Sequence, residues 1–174
     1  MKILIAIAPK KFRDEELAGP TTALTKAGIG FDIASTRRGT CTGMLGAKVT
    51  ATLSFEQIDP ALYHGIVIVG GAGSPPYLWN DPPLIGLAKY FFGAGKLVAA
   101  ICLSPVVLSH AGVLKGKQAT FYDTPESRVE MKKGGAIVVG RPVVTDGLVI
   151  TANGPPASQE FAAAIVHILT TFPG

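Results

Sequence analysis

A cysteine stands where an apolar run ends and a helix signal begins. The segment 97–112, LVAAICLSPVVLSHAG, is apolar up to Cys102. It then offers Ser104 as an N-cap and Pro105 at the first helical position, where the missing N–H would have had no intrahelical partner. Cys102 is therefore expected in a sharp strand-to-helix turn, with helix N–H groups and the positive end of a helix dipole beside it. That environment favours thiolate over thiol, and so a nucleophile. The competing reading is that cysteine is among the residue types most often buried as a small hydrophobe.

A cysteine nucleophile needs a base or a cationic neighbour. His64 falls in a loop before a strand, His110 in the helix leaving the turn and His167 in the terminal helix, so no Cys–His pair is placed by sequence. The other candidate partner is a carboxylate. Glu15 and Glu16 follow the carboxyl end of the first strand, which is the end of an open α/β sheet that binds ligands. Residues 70–73, Gly-Gly-Ala-Gly, follow another strand and can take positive φ, bringing backbone N–H groups near a ligand; a tight turn is the simpler alternative. Their spacing fits neither a phosphate loop nor a dinucleotide fingerprint. No His, Cys or acid cluster has metal-ligand spacing, so neither a metal nor a cofactor is expected.

The scaffold implied by the rest of the chain suits such a site. At 174 residues the length fits one domain, 1–174, with a full core. Hydrophobic residues make up 48% and charged residues 16%, which excludes disorder. The net charge of +4 comes from scattered Lys and Arg rather than a stripe, so no nucleic-acid partner is expected. Only two cysteines occur, Cys41 and Cys102, in different contexts; reduced thiols in the cytoplasm are expected rather than a disulfide framework. The start MKILIAIAP reads as a strand rather than a signal peptide, and no apolar run reaches membrane-helix length, so no membrane partner is expected.

Apolar, β-branched runs at 2–8, 30–36, 65–69 and 97–101 alternate with helical segments, which predicts a doubly wound, mostly parallel sheet. A turn is predicted at 14–17, with a helix from Gly19-Pro20 to Gly28. Residues 39–52, split by Gly43 and Gly46, predict a small antiparallel β-ribbon carrying Cys41. Asp81-Pro82-Pro83 and Thr124-Pro125-Glu126 open helices, and Thr145-Asp146-Gly147 marks a hairpin. Phe161, Ile165, Ile168 and Leu169 recur at helical spacing, as a core stripe does.

KILIAIAPKKFRDEEL, VIVGGAG, KLVAAICLSP, AGVLKGKQAT and VVTDGLVITANGP, in this order, resemble the ThiJ/PfpI superfamily, which includes deglycases and PfpI-type intracellular proteases. The resemblance covers nearly the whole chain and implies a single-domain, flavodoxin-like fold with a nucleophile elbow. It matches Cys102 to the elbow nucleophile, Glu16 to the acid that contacts its sulfur, and Gly71 and Leu103 to the backbone donors of an oxyanion pocket. A carboxyl against a thiolate is expected to be protonated, since like charges in contact raise one pKa. The chain also departs from the family. PfpI-type proteases carry His directly after the elbow cysteine, where this chain has Leu103. Deglycase-like members carry a His shortly before the helix at 124–133, where the nearest residues here are Tyr122 and Asp123; these two are the remaining candidates for contact with substrate.

The resemblance implies a cysteine-dependent enzyme acting on small carbonyl compounds or their adducts, glyoxalase- or deglycase-like. The alternatives are an amidase or peptidase taking peptide substrates, and a redox-sensing stress protein whose elbow cysteine is oxidised. It also implies a homo-oligomer, a dimer or larger.

Overall fold

The computed structural model describes residues 1–172. Strand β1 (Lys2–Ala6) is buried from Ile3 onward, as a run without alternation must be when both sheet faces are covered. After Pro9 comes β2 (Lys10–Phe12), too short to leave a pattern, and then α1 (Asp14–Lys26). This helix begins five residues before the predicted Gly19-Pro20 start, and Pro20 lies inside it. Asp14, Glu15 and Glu16 fill its first turn, where the dipole favours carboxylates. Gly19 serves close packing instead of capping: a Cβ there would lie 2.9 Å from the Ser158 carbonyl oxygen.

The chain continues through β3 (Gly30–Ser35), β4 (Gly39–Gly43), β5 (Lys48–Ala51) and β6 (Leu53–Ser54). Two short 3₁₀ turns, Phe55–Gln57 and Pro60–Leu62, lead to β7 (Gly65–Ile68) and α2 (Ser74–Tyr77), a single turn that sequence patterning missed. Helix α3 (Pro82–Gly93) is capped by Asp81, whose carboxylate accepts from the Leu84 N–H at 2.9 Å. Strand β8 (Leu97–Ile101) runs into the elbow and α4 (Pro105–His110). Then come β9 (Gln118–Ala119), α5 (Pro125–Lys133) with Thr124 in a capping box, β10 (Ile137–Val138), the hairpin β11 (Val143–Asp146) and β12 (Val149–Ala152), and α6 (Ser158–Thr171).

Seven strands form the main sheet in the order β11-β12-β8-β7-β1-β3-β6, and only β11 is antiparallel. This is the doubly wound, flavodoxin-like arrangement. One face is covered by Leu84, Phe91, Val106 and Val107 from α3 and α4, the other by Leu17, Leu24, Phe161 and Ile165 from α1 and α6. The predicted ribbon is the antiparallel pair β4-β5, extended by β2. Because β1, β7 and β8 are adjacent and parallel, their carboxyl ends deliver Glu16, the glycine loop and Cys102 to one edge.

Candidate active site

Cys102 takes φ +66, a left-handed conformation strained for any residue with a Cβ. Its neighbours hold it there. The Cys102 N–H donates to the Ala152 carbonyl at 2.9 Å, and its carbonyl accepts from the Tyr122 N–H at 2.7 Å. Ser104 flanks α4 as expected, but its hydroxyl does not cap the helix; it donates to the Val69 carbonyl at 2.7 Å.

Glu16 reaches this edge from the first turn of α1, fully buried. Its Oε2 accepts from the Gly70 N–H at 2.9 Å, whereas Oε1 is buried without a hydrogen-bond partner. Buried polar atoms are nearly always paired, so a buried carboxyl with an orphan oxygen is a place to put or take a proton. Gly70 makes the approach possible. A Cβ there would lie 2.5 Å from Cys102 Cβ, from Glu16 Oε2 and from the Ile101 carbonyl. Gly71 takes φ +115, and the Gly70 carbonyl accepts from the Arg13 N–H at 2.8 Å.

Burial sets the electrostatics. It pushes the Glu16 carboxyl up to about 7, against the lowering effect of hydrogen bonds with Cys102 and Gly70. The Cys102 thiol rises to about 12, through burial first and then through the charge of Glu16. The N–H groups of Gly71 and Leu103 act on the same sulfur and pull it down. The expected low-pKa thiolate is therefore corrected. α4 has six residues, and its amides do not outweigh desolvation. Burial raises both groups, and the carboxyl remains the more acidic of the two, so it is the group placed to take the thiol proton.

The remaining predicted residues fall at different distances from this centre. Leu103 and Gly71 are brought to the sulfur through their backbones. Tyr122 adjoins the elbow by its N–H, with its side chain half exposed. Both carboxylate oxygens of Asp123 accept from Arg128, at 2.9 and 2.8 Å, on the surface. His110 is spent elsewhere: Nδ1 meets the Trp79 carbonyl at 2.6 Å and Nε2 meets Glu130 at 2.7 Å. Cys41 is buried in the ribbon, its thiol directed to the Gly39 carbonyl at 3.7 Å. The glycine loop read from sequence supplies Gly70, but the Arg13–Glu15 pair was passed over; its side chains meet at 2.7 and 3.0 Å, and the RDEEL segment itself was the available signal. Among the described residues no group of three or more His, Cys, Asp or Glu could hold a metal, and no helix is long and apolar enough to cross a membrane.

A mostly parallel α/β sheet with a strained thiol at a strand-to-helix elbow, an acid from the first turn of the first helix and two facing amides defines a class of elbow-cysteine proteins. The chain belongs to the DJ-1/PfpI family, whose model matches residues 1–168. It is 50% identical over 168 residues to an uncharacterised protein of Methanocaldococcus jannaschii, covering 97% of this chain and 82% of that one. A deglycase of Pyrococcus horikoshii is 35% identical, with 97% and 99% of the two chains covered. Among solved structures, a ThiJ/PfpI domain protein from Brachyspira murdochii superposes with a TM-score of 0.93 at 32% identity, covering 98% of this chain and 97% of that one.

Proposed function

We propose that the protein is a cysteine-dependent enzyme acting on small carbonyl compounds or their adducts, deglycase- or glyoxalase-like. The observation that carries this is the strained Cys102, at φ +66, with two backbone N–H groups and a buried carboxyl on its sulfur. In the proposed step the sulfur attacks the carbonyl carbon, a C–S bond forms and the C=O π bond breaks. The thiol proton passes to the Glu16 carboxylate, and the Gly71 and Leu103 N–H groups are the donors offered to the developing alkoxide. Return of the proton from Glu16 to that oxygen gives a neutral hemithioacetal. Deglycase relatives at 34–35% identity support the substrate class.

An amidase or peptidase ranks lower, because protonation of the departing amine is work suited to an imidazole beside the thiol, and both ring nitrogens of His110 are already engaged. Cys102→Ser is expected to abolish methylglyoxal consumption, followed by loss of the dicarbonyl. Full turnover by that variant would overturn the assignment. Selective oxidation of Cys102 over Cys41 by mild peroxide, with no carbonyl turnover by the parent, would replace it with a redox role.

A further inference from the structure

The two residues whose N–H groups face the Cys102 sulfur are both held by one short segment, 74–79, that takes no part in the chemistry described above. We propose that this segment is a brace that sets the spacing of the Gly71 and Leu103 donors, with Ser74 and Trp79 as positioning residues. The inference rests on the reading of Cys102 as the nucleophile.

Three hydrogen bonds make the brace. The Ser74 N–H donates to the Gly71 carbonyl at 3.0 Å, fixing one donor residue. The Trp79 Nε1–H donates to the Leu103 carbonyl at 2.8 Å, fixing the other. Between them the Ser74 and Ser104 hydroxyls meet at 2.9 Å, both fully buried. Their direction is determined. Ser104 has one hydroxyl proton and donates it to the Val69 carbonyl at 2.7 Å, so the Ser74 hydroxyl must be the donor to Ser104. Buried hydroxyls are unfavourable unless bonded, and here they join the glycine loop to the elbow where an alanine pair would only fill space.

The far end of the brace is anchored too. The Trp79 carbonyl can only accept, so the His110 nitrogen 2.6 Å from it carries a hydrogen. The other ring nitrogen meets Glu130 on α5. Trp79 thus has a specific use for its indole N–H.

Trp79→Phe keeps most of the ring and removes that N–H. It should lower kcat about tenfold while KM stays within about twofold, because aligned donors act on the oxyanion and not on bound substrate. It should also slow alkylation of Cys102 by iodoacetamide at pH 8 about threefold to tenfold, since a misaligned amide stabilises the sulfur anion less. Ser74→Ala, which leaves Ser104 bonded to Val69, should show the same pattern at smaller size. Ile3→Val, at the amino end of β1 and in the core on the other sheet face, lowers Tm away from the brace and should leave the alkylation rate unchanged. Unchanged alkylation in Trp79→Phe, or equal slowing in Ile3→Val, overturns the brace whether or not Cys102→Ser is inactive. Turnover by Cys102→Ser overturns the enzymatic reading without altering the alkylation contrast.

Discussion

The two ends of one parallel sheet treat a carboxyl in opposite ways. Towards the amino end, burial pushes Asp32 up, but the Lys2 ammonium at 2.6 Å and the Tyr63 hydroxyl at 2.7 Å outweigh it and hold the carboxyl below its usual range. At the carboxyl end Glu16 has, among the described residues, one backbone N–H, an unpartnered oxygen and no ion pair, the nearby Arg13 being bonded to Glu15. Its carboxyl rises to about 7. Partners decide which way a sequestered carboxyl moves: a paired one is a fixed anchor, and a deprived one becomes a proton carrier.

Glycines at the two ends test how tightly each is built. At Gly70 an added Cβ would meet Cys102, Glu16 and Ile101 atoms at 2.5 Å, and none of these contacts is the loose end of a flexible surface chain. Gly70→Ala is expected to destabilise by about 4 kcal/mol or more, or to expel the Glu16 carboxyl from the thiol. At Gly30 the nearest atom to an added Cβ is the Met1 carbonyl oxygen at 3.7 Å, ordinary contact. Gly30→Ala should shift stability by no more than about 0.5 kcal/mol. Denaturant midpoints of the two variants check this, and equal losses would erase the contrast.

Function should follow the same division. With Glu16 as base, kcat/KM for a dicarbonyl should rise as pH passes through about 7, where its carboxyl loses the proton. Glu16→Gln should lose that rising limb and about 10²- to 10³-fold in rate. Asp32→Asn, at the other end, should keep both the limb and the rate within about twofold. A pH profile unchanged in Glu16→Gln would remove the carboxyl from the mechanism.

Much of this organisation was legible in the residues, because the relevant signals were local. The apolar run into Cys102 followed by Ser104-Pro105 defined the elbow, and Asp81-Pro82 and Thr124-Pro125 marked true helix starts. What misled was local grammar overruled by tertiary contact. Gly19-Pro20 looked like a helix start, but the glycine is needed where α1 packs on Ser158. Ser104 looked like a cap, but its hydroxyl is claimed by Val69 across the sheet edge. The thiol's upward shift could not be read from the chain at all, since it depends on how much of the fold closes over one side chain. Glu16 was reached through family resemblance, because nothing in DEEL alone says which carboxylate turns inward.

The last contrast is in the pH dependence of folding, where the two carboxyls should act with opposite sign. Glu16 titrates near 7 in the folded chain against an ordinary 4.5, so the folded state binds more protons in that window. Its contribution is present below about 4.5 and disappears as pH rises through 7, a loss on the order of 3 kcal/mol. Asp32 lies below its ordinary 3.8, so its contribution is present above that value and is lost as pH falls. Its side chain is 26% exposed and Lys2 is 46% exposed, so solvent screening holds this to about 1 kcal/mol or less. Urea unfolding of the parent, Glu16→Gln and Asp32→Asn from pH 4 to 8 separates them. Glu16→Gln should flatten the decline between pH 5 and 7 and exceed the parent in stability at pH 8. Asp32→Asn should preserve that decline and be slightly less stable throughout. A decline that survives in Glu16→Gln would mean that the Glu16 carboxyl is not where the folded chain stores its proton.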